Sequence, residues 1–167
     1  GHPYTRAVTD ERVVDLLADP PPPGAAPGQW WPPQVLLPEW LDAHAAAIDL
    51  VHVHFGSESY TADELSATVA AVRRLGIPLV YTVHDLENPQ LTDQDAHRAA
   101  LSVLITGADE VTTLTVATAA EVERDFARVS EVIPHPTLVD GGALPAGRSH
   151  TTTRVGVHLR DLRPNID

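Results

Sequence analysis

Residues 48–85 read IDLVHVHFGSESYTADELSATVAAVRRLGIPLVYTVHD, and this stretch decides the fold. The run from Ile48 to Phe55 is short and rich in β-branched residues, which suits a buried strand. After the turn GSES, Leu65, Val69 and Val72 recur at i, i+4 and i+7, the spacing that lines one face of a helix. Thr61 with Glu64 three residues later has the pattern of a capping box, and Gly76 followed by Pro78 stops the helix. Residues 77–83 make the next strand. One strand–helix–strand unit is therefore marked at both ends.

The unit repeats downstream. A helix is predicted from about Asp93, its apolar stripe being Leu101, Leu104 and Ile105, and a strand over 109–115 follows. Thr118 and Glu121 predict a second capping box, with Ala119, Val122 and Phe126 on the buried face, before a strand over 131–134. Four near-continuous apolar strands joined by three helices imply an α/β, Rossmann-like parallel sheet with right-handed crossovers and helices on both faces.

Upstream, residues 18–40 hold eight of the fifteen prolines, which excludes a helix interior or a central strand there. The three tryptophans, Trp30, Trp31 and Trp40, all lie in this segment. Large aromatics suit a loop packed onto the domain better than a floppy linker. Beyond Pro136 the chain is small and polar until RVGVHL at 154–159. Residues 1–150 are thus expected to form one Rossmann-like domain, and 154–167 to open a second. The rival is an extra strand at the edge of the same sheet.

Composition limits the function classes. All eleven positive charges are Arg, scattered singly apart from Arg73-Arg74, against 23 acidic residues, a formal charge of −12. Phosphate-tracking on nucleic acid is not expected, and an anionic acceptor or acidic lipid is disfavoured. No apolar run approaches the roughly 20 residues of a membrane span, so a chain without a transmembrane segment is expected. Cysteine is absent, which removes disulfides, thiolate catalysis and Cys-based zinc sites, and no signal-peptide pattern opens the chain. A cytoplasmic address is expected. The sequence does not open with Met, so residue 1 reads as a boundary rather than a translation start.

In an open parallel sheet the ligand crevice lies beyond the carboxyl ends of the strands. Four loops fall there: His54-Phe55-Gly56-Ser57, His84-Asp85, Thr115, and His135-Pro136. Their backbone N–H groups, near helix N-termini, are expected to help carry phosphate charge. His84 reads either as a hydrogen-bonded rim histidine or as a donor to a ligand hydroxyl or phosphate. His52 and His54, two apart in a strand, share a face, and a His-x-His pair with His84 and Asp85 would suit a divalent-metal hydrolase. A third reading is a non-catalytic binding domain whose tryptophan loop docks a protein. Other chemistries lack their residues: there is no G-x-G-x-x-G, no P-loop, no G-x-S-x-G elbow and no Lys. Asp63, Glu64, Glu121, Glu123 and Asp125 read as solvated helix faces.

Taken in order, IDLVHVHFG, PLVYTVHDLENP, ADEVTTLT, VIPHP and VGVHLRDLRPNID, together with GHPYTR and WWPP, give the chain a family likeness. It resembles the N-terminal half of a retaining, GT-B-type glycosyltransferase of the large bacterial family that includes sucrose- and mannosyl-transferase relatives, actinobacterial members especially. The resemblance implies two Rossmann-like domains facing across a cleft, the first taking the acceptor and the second holding a nucleotide-diphosphate sugar. Transfer would retain configuration without an obligatory metal or other cofactor, the partners being the nucleotide sugar and a small-molecule or glycan acceptor. It also implies that His84 faces the transferred sugar as the catalytic residue, and that His54, Gly56 and Ser57 line the acceptor side. Gly1 and His2 would follow a first strand that this sequence lacks, and Arg163 would fall near the diphosphate, matching only with a one-residue shift. Asp85 and His135 complete the expected substrate-binding set. The donor domain's distal glutamate pair is not in the sequence, so this polypeptide alone is expected not to catalyse transfer.

Overall fold

A computed structural model describes residues 3–137 of the chain. In chain order the elements are α1 (Pro3–Val8), α2 (Pro38–His44), β1 (Val51–Val53), α3 (Ala62–Leu75), β2 (Leu79–Val83), α4 (Asp95–Gly107), β3 (Glu110–Thr113), α5 (Val116–Phe126) and β4 (Glu131–Val132). The strands form one parallel sheet in the order β1-β2-β3-β4, with Val51 opposite Leu79 and Tyr81 opposite Val111. The α/β, Rossmann-like layout read from the sequence is the observed one.

Alternation along each strand sends Val51, Val53, Leu79, Tyr81, Val83 and Val111 into the core with Leu65, Val69, Val72, Leu104, Ile105 and Val122 of the helices. Because sequential strands are neighbours, right-handed crossovers carry α3, α4 and α5 to the same side, and α3 packs on α4 and α4 on α5. These three crossovers thus furnish one of the two helical layers expected from the apolar runs. Along the sheet's other side runs a polar chain instead: His52 Nε2 shares a 2.8 Å hydrogen bond with Thr82 Oγ1, which lies 2.7 Å from Thr112 Oγ1. The hydroxyls of Thr82 and Thr112 are buried, so each needs such a partner.

Local chemistry sets the boundaries. Thr61 Oγ1 accepts from Glu64 N while Glu64 Oε2 accepts from Thr61 N at 2.8 Å, a complete capping box. Gly76 closes α3 in the left-handed region at φ 70°. The second predicted box is corrected: α5 is capped by Thr115, whose Oγ1 accepts from Thr118 N at 3.1 Å, three residues before the expected position. Thr115 leaves β3 with extended backbone, the conformation an N-cap requires, whereas Thr118 already lies inside the helix. α4 likewise begins at Asp95, and α1 and α2 were not anticipated. α2 starts with Pro38 at its first position, where the missing N–H costs nothing, and buries Leu41.

The proline-rich segment folds back onto this frame. Asp19 accepts from the N–H groups of Gln34 and Val35 at 3.0 and 3.2 Å, and Tyr60 OH donates to the Pro33 carbonyl at 2.6 Å. The buried Thr68 hydroxyl of α3 donates to the Leu36 carbonyl. The segment 154–167, expected to open a second domain, lies outside the described residues.

A close approach within the helical layer is at Gly107, where an added Cβ would meet Val69 Cγ2 and Cγ1 at 2.8 and 2.9 Å. Gly107→Ala is therefore expected to lower the unfolding free energy by about 1–2 kcal/mol despite its gain in helix propensity. Urea denaturation would show this, and Val69→Ala in the same chain should cost less than the two single changes summed.

Candidate functional site

The parallel register sets the end of β1 opposite Tyr81, two residues short of the end of β2, and the residue after each strand, His54 and His84, stands at the carboxyl rim. His84 Nε2 lies 3.4 Å from His54 Nδ1, one imidazole donating to the other. Phe55 stacks on the His84 ring at 4.2 Å and 28°. Tyr4 of α1 packs in T-shaped contact with His84 at 4.8 Å and His54 at 5.2 Å, and beside His135 at 5.1 Å. Phe55, Tyr4 and His54 thus hold the His84 imidazole, so its orientation is set before any ligand arrives. Tyr4 is 3% exposed, and burial raises its phenol above the ordinary value, which keeps it neutral.

Beside this cluster opens a cleft of about 130 Å³ between the loops that follow β1 and β2, lined by His54, Ser57, Glu58, His84, Asp85 and Asn88 among others. A smaller pocket of about 90 Å³ continues from it toward Leu91, Ala100 and Leu101, sharing Ser57, Glu58, Tyr81, Asn88 and His97. Tyr81 lies at its buried end, where desolvation pushes the phenol strongly upward, with Glu58 and Asp85 adding to the effect. The loop after β2 is braced from α4. His97 Nε2 hydrogen-bonds the Asp85 carbonyl at 3.2 Å, and Gln94 accepts from Asn88 N and donates to Asn88 O, both at 2.9 Å.

Of the expected site residues, His54, Ser57, His84 and Asp85 line this one cleft, and His135 joins them through Tyr4. Gly56 serves the turn itself. Its φ is +89°, and a Cβ there would stand 2.4 Å from Pro33 Cγ and 3.0 Å from Trp30 Cζ3. Gly1, His2 and Arg163 lie outside the described residues. The sequence did not single out Tyr4, Glu58, Tyr81, Asn88 and His97. Tyr81 reads as one more core residue of a strand, and its place at the cleft is visible only once the turn over 57–59 folds above it.

Two earlier expectations change. For the hydrolase reading, His52 and His54 are neighbours, ring centroids 3.9 Å apart, but His52 bonds Thr82 and His54 bonds His84. Among the described residues no group of three or more His, Asp or Glu converges as a ligand set. The helix N-termini also differ from expectation. α3 and α5 are already capped by Thr61 and Thr115, and α4 opens with Asp93 and Asp95, whose charges repel an anion. Among the described residues, those lining the cleft include Glu58 and Asp85 and no Arg, a chemistry for hydroxyl donors rather than for phosphate.

His52 keeps a solvent-exposed edge, yet desolvation by burial holds the imidazole below its ordinary value of 6.5. The unfolded chain takes up this proton first as pH falls, so the His52 contribution is present above pH 6.5 and is lost on acidification below it. His52→Gln, which keeps a hydrogen-bonding group near Thr82, should make the urea midpoint less sensitive to pH between about 7.5 and 5.5. An unaltered pH dependence would contradict this account.

Among the described residues no helix is long and apolar enough to cross a membrane. Comparison with curated proteins gives no match, and comparison with solved structures gives none either. A family model does match: that of Glycosyltransferase Family 4, over residues 2–137. This span contains the whole described sheet, its helices and all three rim histidines, and it is well over half of the chain. A parallel sheet whose histidine-bearing loops close on one cleft, matched over that length, places the chain in Glycosyltransferase Family 4.

Proposed function

We propose that the rim is the acceptor-side half of a glycosyl-transfer cleft, in which His84 faces the sugar being transferred. The observation that carries this is the fixed His84 imidazole at the mouth of a cleft furnished with carboxylates and hydroxyls. Sugars present several hydroxyl donors, and Glu58, Asp85 and Ser57 are the acceptors that match them. The diphosphate would be met from the opposite side by a second domain opened by residues 154–167, with Arg163 near it. The donor is then a nucleotide-diphosphate sugar, and the anomeric configuration is retained.

In this mechanism the described residues act by position and electrostatics. Stacking on Phe55 and the contact with Tyr4 fix the plane of His84, and the hydrogen bond to His54 holds one of its ring nitrogens. An imidazole so held can point one N–H at a sugar hydroxyl with little reorganisation as the glycosidic bond changes. Asp85, whose carbonyl is tied to His97, and Glu58 then orient the incoming hydroxyl. No metal is assigned a role in this reading.

His84→Ala, in the enzyme that carries this chain, should reduce sugar transfer by about a hundredfold or more, as loss of one preorganised donor does elsewhere. Product formation from a panel of nucleotide sugars, with the unfolding midpoint followed in parallel, makes the check. Undiminished transfer would remove His84 from the mechanism.

A further inference from the structure

We propose that Trp30 and Trp31 form a stacking shelf for the apolar face of a neutral sugar ring on the acceptor, adjoining the cleft. The proposal rests on the reading of that cleft as the acceptor side. The two indoles are 43% and 51% exposed, whereas Trp40 is half-buried and stacks on His44 at 4.1 Å. Their centroids stand 5.9 Å apart with ring planes at 79°, so together they form a corner.

This corner is held, and it is held against the cleft. Trp30 and Pro33 close onto Gly56, which sits between Phe55 and Ser57, both cleft-lining residues. Tyr60, a wall of the inner pocket, donates to the Pro33 carbonyl at 2.6 Å. Gln29 Nε2 donates to the Trp31 carbonyl at 2.9 Å, and Gln29 Oε1 accepts from Ala26 N at 3.2 Å. Asp19 ties down the far end of the loop through Gln34 and Val35. Ordering entropy is therefore spent on folding rather than on binding, the condition under which a weak stacking contact yields net affinity.

The chemistry selects the occupant. One face of a pyranose is a patch of C–H groups with slight positive charge, which complements the negative face of an indole, while its hydroxyl edge needs acceptors such as Ser57 and Glu58 nearby. An acidic lipid surface is opposed by Asp10, Glu11, Asp15 and Asp19 in the same N-terminal region and by a net charge of −12 with no Lys. Two exposed rings also fall far short of the roughly 800 Å² per partner of a stable protein interface.

The test uses the chain itself, following the three indole N–H signals and the histidine ring signals by NMR while methyl hexosides and hexose disaccharides are added. The Trp30 and Trp31 signals should shift saturably, with Trp40 unmoved as internal reference. Trp31→Ala should weaken binding by about fivefold or more, and Trp31→Phe should keep most of it. Sugars that move the His54 and His84 signals but neither indole would overturn the shelf and leave the cleft reading standing. Indole shifts without histidine shifts would support the shelf and count against the cleft. Indoles that respond only to vesicles of anionic phospholipid, or to none of these probes, would overturn the shelf.

Discussion

Parallel pairing of β2 with both its neighbours is the constraint on which the rest hangs. Once Val51 lies opposite Leu79 and Thr113 opposite Val83, the chain must leave β1, β2 and β3 at the same edge of the sheet. A slip of one residue would turn Tyr81 and Val83 away from the helices and bring Thr82 into the apolar core, so burial of one face enforces the register. The opposite end of the sheet is locked as well: Leu79 N donates to the Asp109 carboxylate at 2.8 Å, and Arg128 donates to the Ala108 and Asp109 carbonyls at 2.6 Å. Rigidity at that end leaves the carboxyl edge as the place where loops can vary.

Aromatic contacts preorganise the cleft at that edge. The ion pairs Arg12–Asp10, Arg74–Asp42 and Arg124–Asp125 are exposed and lie outside the cleft lining, and such pairs contribute little to stability. Tyr4, Phe55 and the three rim histidines interlock instead, with ring separations between 4.2 and 6.2 Å. Rings in edge and stacked contact surround His84 and hold its position. The carboxylates stand at its margin, where hydroxyl groups can reach them. This division suits a site that grips hydroxyls and leaves the management of phosphate charge to groups elsewhere.

The proline and tryptophan segment follows the same economy. Prolines limit the shapes the loop can take, and Asp19, Tyr60 and Gly56 then select one. Because Gly56 has no side chain, the loop settles directly onto the turn that carries His54 to Ser57. The tryptophan loop and the geometry of the rim are thereby coupled through one close approach at Gly56.

Much of this was legible without coordinates. Thr61, Glu64 and Gly76 announce α3, Leu65, Val69 and Val72 give its buried face, and β-branched runs between such helices specify parallel strands. These are local signals, each set by a few neighbouring residues. Alternation of strand and helix then fixes that the loops bearing His54 and His84 share an edge, since every strand of a parallel sheet ends on the same side. The site needed more. Tyr4 reaches His54 from fifty residues away in sequence and His84 from eighty, and Pro33 touches Gly56 across a gap in which no sequence period operates. The cap at Thr115 rather than Thr118 turned on where β3 ends, which the pairing partner decides. Sequence by itself determined the elements and their order, because capping and periodic burial act over one or two turns. Only tertiary structure decided which rings surround His84, because contacts between distant segments depend on the packed shape of the whole and leave no local trace.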